Sequence, residues 1–190
     1  MHWTAETRYK MLLEINNAVV TRINREDLFQ ALAKELRKHF AYDRMAINLY
    51  DAKAQSISYF AAADGVQPGG VLTRVSCPLA DGAIARMVVQ SRQPIIIDDL
   101  RRYSDLTSIG ALVQAGLNAT MAFPLLVRNR ILGSIHFSFR DAPDHVSELT
   151  EILTEASRQV AIAVDNMLAY TELEKLNKNL EREKEFLLQS

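Results

Sequence analysis

ATMAFPLLVRNRILGSIHFSF, residues 119–139, holds two short runs rich in β-branched and aromatic residues around a polar turn. Runs of this length and composition favour strands, and Arg128-Asn129-Arg130 between them predicts an antiparallel hairpin with both arginines at the surface. In the second run Ile131, Gly133, Ile135, Phe137 and Phe139 alternate with Leu132, Ser134, His136 and Ser138. Successive strand side chains point to opposite faces, so one face is apolar and the other polar at all but one place. RMAINLY, residues 44–50, repeats the pattern. There Met45, Ile47 and Leu49 oppose Arg44, Ala46, Asn48 and Tyr50.

Working outward, residues 4–22 place Tyr9, Leu12, Leu13, Ile15, Val19 and Val20 mostly on one helical face. Asn24 starts a second amphipathic helix with acids early and bases late, as the helix dipole prefers. DAKAQ turns the first strand into SISYFAA, DGVQPGG is loop, and VLTRVS, residues 71–76, reads as a third strand. Residues 78–100 read as turn, helix, turn and strand: Pro94 stops a helix, and Ile95, Ile96 and Ile97 favour a strand. A short helix, IGALVQAG, precedes the hairpin, and residues 144–188 contain no internal glycine or proline, predicting one long helix. Helices at both ends with an antiparallel sheet of about six strands between them make an α+β domain.

At 190 residues, 48% hydrophobic and 24% charged, the chain is long enough for one domain with a sizeable core. A net charge of −1 gives no whole-domain attraction to nucleic acid or to an anionic membrane. The lone Cys77 excludes an internal disulfide and suits a reducing compartment. With no apolar run of membrane-spanning length and no signal-peptide core, a cytoplasmic location is expected.

ADGAIARMVVQSRQPIIIDDL, residues 80–100, followed by GLNATMAFPLLVRNRILGSIHFSF, residues 116–139, resembles the two-part signature of the GAF domain family. Gly116, Pro124, Leu125 and Gly133 occupy the family's glycine, Pro-Leu and Leu-Gly places. More narrowly, LLEINNAVVTRINREDLFQAL and LEKLNKNLEREKEFLLQS resemble regulatory GAF domains of formate-hydrogenlyase-activator-type transcriptional regulators. Those use sigma-54 polymerase, and in them the domain precedes an ATPase module. The resemblance implies terminal helices on one sheet face, a lid of short helix and loop on the other, and a pocket between. It also implies a downstream ATPase or other output domain, and formate or another small anion as a possible ligand. The apolar surface of the first and last helices leads separately to the expectation of a parallel homodimer, and the polar strand face to that of a small polar or anionic ligand. Direct contact with nucleic acid is not expected.

With a lid on that side, Asn48, Ser134, His136 and Ser138 point into a polar cavity. At the start of the lid helix the N–H groups of Gly82 and Ala83 can meet an anion, or Asp81 can cap them itself. Arg74, on the third strand, can neutralise an anion at the lid or sit solvated. The expected ligand-binding set is therefore Asn48, Arg74, Asp81, Gly82, Ala83, His136 and Ser138.

No catalytic residue or enzyme activity is expected. The chain has no P-loop, no dinucleotide fingerprint, no Ser-His-Asp order and no paired carboxylates. Cys77 lacks the second cysteine of the sulfoxide-reducing branch and the context of bilin attachment, and the Asn-Lys-Xaa-Phe-Asp-Glu set of the cyclic-nucleotide branch is missing. His2, His39, His136 and His145 are scattered, so no metal or cofactor is expected. Leu173, Leu176, Leu180 and Leu187 form an a/d seam of about three heptads. The expected division is a sensory domain over 1–170 and a coiled-coil signalling helix over 171–190, with Leu12 and Val19 joining that seam in a dimer interface.

Overall fold

Side-chain caps start the first two helices. Thr4 accepts the Thr7 N–H at the head of α1 (Ala5–Val20), and Asn24 accepts the Asp27 N–H at the head of α2 (Arg25–Arg37). Each satisfies an amide that the helix itself leaves free. The structure, a computed structural model, describes residues 3–190, so His2 lies outside the described residues.

Among the described residues the sheet has seven strands, six of which, β1 (Arg44–Asp51), β2 (Ser56–Tyr59), β4 (Ser76–Pro78), β5 (Ile95–Ile97), β6 (Ala119–Val127) and β7 (Arg130–Phe139), pair antiparallel throughout. They lie side by side in the order β4-β2-β1-β7-β6-β5. β3, only Asp64–Gly65, continues the β2 edge against Arg44 and Met45 of β1. The third strand expected over 71–76 is corrected: Gly70–Thr73 is a 3-10 turn and pairing with β2 begins at Ser76. The local β-propensity of Val71 and Leu72 yields there to the turn that Gly70 enters with a positive φ of 67°.

Met45, Ile47, Met121, Phe123, Ile135 and Phe137 are fully buried on one sheet face, under α1, α2 and α5 (Val146–Gln189). Phe137 meets Phe40, Tyr42 and Phe123 with ring centroids 5.3–6.2 Å apart. Each large apolar side chain removed from water here contributes about 1.5–3 kcal/mol, so this face anchors the domain. On the opposite face α3 (Ala83–Ser91) and α4 (Thr107–Gln114) bury a smaller cluster around Val88, Leu100 and Ile109.

One β-bulge alters the expected alternation. Leu125 pairs with Gly133 while Leu126 pairs with Ile131, leaving Leu132 as the extra residue, and Leu132 joins the core beneath the terminal helices. Gly133 is required at this corner because a Cβ there would stand 1.8 Å from the Asn48 carbonyl oxygen of β1.

On α1 the buried residues are Met11, Ile15 and Val19, while Tyr9, Leu13 and Val20 are exposed. Val19, expected at a dimer interface, is therefore corrected to a core residue, and Leu12 packs half-buried against the same core. α5 is one continuous helix whose last buried residue is Met167; every residue from 171 to 190 is exposed. That overhang is roughly 30 Å long at 1.5 Å per residue. No described helix is long and apolar enough to cross a membrane.

Candidate functional site

Between the sheet and the lid lies a cavity of about 70 Å³, walled by β1, β7, β2, the Gly70–Thr73 turn, β4, α3 and α4. One water needs about 10–15 Å³ of such space, so the cavity admits a few waters or a molecule of a few heavy atoms. Ligands of cofactor size occupy several hundred cubic ångströms. The space suits a small molecule and excludes a large cofactor.

Strand alternation delivers the floor. Arg44, Ala46 and Asn48 from β1 and His136 and Ser138 from β7 line the cavity, because the strands pair Asn48 with Ser134 and Ala46 with His136. His136 Nε2 lies 2.6 Å from Ser134 Oγ and 3.4 Å from Asn48 Nδ2. An amide nitrogen can only donate, so Nε2 is the acceptor and the ring proton belongs on Nδ1. Burial and then the Arg44 charge push the His136 pKa down to about 4, which keeps the imidazole neutral at physiological pH. Behind it, Ser138 and Thr120 hydroxyls bond at 2.9 Å.

Arg44 is the residue that sequence reading left unselected. It is 4% exposed. Nη1 donates to the Val66 carbonyl at 2.9 Å and Nη2 to Tyr59 Oη at 3.0 Å, while Tyr59 donates onward to Leu72 at 3.0 Å. All these acceptors are neutral, and no described carboxylate pairs with the guanidinium. Burial pushes the Arg44 pKa down, yet an arginine stays charged in proteins. A buried cation with only neutral acceptors is costly and attracts an anion. The available signal was its place in the polar alternation of β1; its partners, far along the chain, gave none.

The lid differs from expectation in detail. Asp81, Gly82 and Arg74 reach the cavity wall, with Asp81 and Arg74 exposed. Ala83 lies behind it. The Gly82 N–H donates to the Leu79 carbonyl at 3.1 Å and the Ala83 N–H to Ser108 Oγ at 3.2 Å. Both amides expected to meet an anion are thus already taken. Asp81 does not cap α3 either: Gly82 holds the N-cap position, without a side-chain bond. Arg74 ends the 3-10 turn rather than sitting on a strand. Positive charge at this cavity comes from Arg44 and Arg74, and the polar contacts from Asn48, His136 and Ser138.

Cys77 also lines the cavity, half-buried. Burial and then the Asp81 carboxylate push its thiol pKa up, against a smaller opposing pull from Arg74. A thiol held in its protonated form is a poor nucleophile. The cavity wall offers hydrogen-bond donors and two guanidinium groups, Arg44 and Arg74, against the one carboxylate of Asp81, with no activated nucleophile.

The family model described as GAF domain matches residues 24–164. The chain is 25% identical over 181 residues to the formate hydrogenlyase transcriptional activator FhlA of Escherichia coli K12, covering 90% of this chain and 25% of that one. It is 23% identical over 179 residues to the DNA-binding transcriptional activator HyfR of the same organism, covering 92% of this chain and 26% of that one. The chain thus spans about a quarter of the length of the curated relatives it matches. Among solved structures, the GAF domain of an Acinetobacter phosphoenolpyruvate-protein phosphotransferase superposes with a TM-score of 0.69 at 15% identity, covering 89% of this chain and 99% of that one.

Proposed function

The chain belongs to the GAF family, and from that premise we propose that it is the small-molecule-sensing domain of a bacterial transcriptional regulator. One observation carries this reading: a covered cavity holds a buried guanidinium that has only neutral partners. A small anion of formate or short carboxylate size meets both demands, charge and volume. In this reading Arg44 takes the charge, with Arg74 near the mouth, and Asn48, His136 and Ser138 fix orientation. Gly82 and Asp81 form the rim of the lid.

Coupling runs through the sheet. The strands that carry Arg44 and His136 toward the cavity carry Met45, Ile47, Ile135 and Phe137 to α1, α2 and α5 on the other side. A ligand that draws β1 and β7 together therefore bears on the packing of α5. It shifts that packing only by its preference between two arrangements, and a tenfold preference supplies about 1.4 kcal/mol. The helix over 171–190 then serves as a coiled-coil signalling segment toward a cytoplasmic output domain, an ATPase by likeness to the activators. The chain would act as a parallel homodimer, not as an enzyme.

A second reading is a structural module that dimerises without a ligand, and the exposed Leu173, Leu176, Leu180 and Leu187 favour it. Thermal unfolding in a panel of small carboxylates at constant ionic strength separates the two. A ligand bound only by the native state must raise the melting temperature, and at a hundredfold excess over Kd it adds about 2.7 kcal/mol. A saturable rise supports the sensor. A flat response across the panel leaves the structural module.

A further inference from the structure

Away from the cavity, the packing of α1 on α2 gathers three side chains of metal-ligating type, one of them more than twenty residues before the other two. The ligand atoms of Glu14 on α1, Glu35 on α2 and His39 just after α2 all lie within 4.8 Å of one another. His39 is set there by the turn that ends α2, where its N–H donates to the Leu36 carbonyl at 3.0 Å. Its Nε2 stands 3.4 Å from Glu14 Oε2. Lys38 Nζ holds only Glu35 Oε1, at 2.9 Å, so the other oxygen is free to turn toward the histidine. That oxygen, Glu35 Oε2, and His39 Nε2 are both shielded from solvent and have no hydrogen-bond partner. A buried carboxylate oxygen is an acceptor in want of a donor or a cation.

We propose that Glu14, Glu35 and His39 bind a divalent first-row transition-metal ion of the Zn²⁺ class. Two ligand atoms on one tetrahedral ion, each about 2.0–2.1 Å from it, sit roughly 3.3 Å apart, and the Glu14–His39 pair already has that spacing. Glu35 closes the remainder by rotating a side chain. One imidazole and two carboxylates suit Zn²⁺ or its neighbours, whereas Ca²⁺ and Mg²⁺ prefer more oxygen ligands and no imidazole. The two glutamates and Lys38 leave the cluster one negative charge, which the ion reverses. Bound there, the ion ties α1 to α2 and so fixes the helix that packs on α5.

Calorimetric titration of the chelator-stripped chain with Zn²⁺ alone tests the site. One ion per chain at micromolar Kd or tighter is expected, with a loss of at least tenfold in Glu35→Gln and in His39→Gln. Far-UV circular dichroism shows whether each variant remains folded, and Glu14→Gln provides a third variant on a separate helix. No binding at about 100 µM Zn²⁺, or undiminished binding in the folded variants, overturns the assignment. Neither result bears on the cavity, which shares no residue with this cluster.

Discussion

Replacing Arg44 with methionine separates the contribution of its charge from that of its packing. The substitution keeps an apolar stem of similar reach and removes the guanidinium. Two hydrogen bonds disappear, those to the Val66 carbonyl at 2.9 Å and to Tyr59 Oη at 3.0 Å. Hydrogen bonds to a charged group are worth about 1.5–3 kcal/mol each, so their loss costs about 3–6 kcal/mol. Against this, the fold no longer carries a desolvated cation without a counter-charge, a penalty of several kcal/mol. The two effects oppose each other, and the expected net change in unfolding free energy is within about 2 kcal/mol. Binding has no such offset. Removing one partner of a buried charge pair costs about 2–5 kcal/mol, so affinity for a small carboxylate falls about 30-fold or more. Arg44→Lys, which keeps charge but not the planar fork, should fall between the two. Calorimetric titration together with urea unfolding reads both quantities. A folded Arg44→Met chain that binds the anion within threefold of the unsubstituted one refutes the reasoning.

The other expectations concern neighbouring parts of the fold. The His136 pKa lies at about 4, below an unfolded value near 6.5, so the unfolded chain binds the extra proton between those values. Its contribution to stability is complete above about pH 6.5 and is lost as pH falls toward 4, by up to about 3 kcal/mol; His136→Gln should flatten that slope in urea melts at stepped pH. Gly133→Ala drives a Cβ to 1.8 Å from a backbone oxygen, a clash no side-chain rotation relieves. A loss of about 3 kcal/mol or more is expected by denaturant unfolding. At Gly82 the one close approach of a Cβ is to the flexible tip of Ile57, at 2.4 Å, with Ala85 at an ordinary 3.7 Å, so Gly82→Leu should stay folded, checked by circular dichroism, while losing anion affinity because Gly82 and Ile57 both wall the cavity. Leu173→Asp with Leu180→Asp should leave the domain folded and shift sedimentation from dimer to monomer at micromolar concentration. Each leucine buried in a seam supplies about 1.5–3 kcal/mol against an association cost of about 4–15 kcal/mol.

What could be read from the residues alone was whatever depends on near neighbours in sequence. The β6–β7 hairpin, the helix before Pro94 and the uninterrupted α5 follow from local periodicity and from where proline falls. The apolar and polar faces of β1 and β7 followed as well, which is why Asn48, His136 and Ser138 were placed together at the cavity. Distant pairing was not legible. The 3-10 turn at Gly70–Thr73 and the late start of β4 depend on β2, and the bulge that sends Leu132 to the helical face depends on β6. Val19 went into the core because α1 turns Met11, Ile15 and Val19 inward. The Arg44 environment is assembled from Tyr59 and Val66, 15 and 22 residues onward. The lid amides look free in sequence, and Ser108, 25 residues after Ala83, occupies one of them.

A proton–nitrogen NMR titration with formate, acetate and longer carboxylates at constant ionic strength tests the proposed sensing role most directly. It observes the Arg44 guanidinium, the His136 imidazole, the amides of α3 and those of α5 in one experiment. At least one anion should move the Arg44 and His136 signals saturably, and amides of α3 and of α5 should shift with the same apparent Kd. No saturable shift at Arg44 or His136 up to about tenfold above millimolar anion, or shifts confined to exposed lysines, would contradict a cavity that binds a small anion and reports to the last helix.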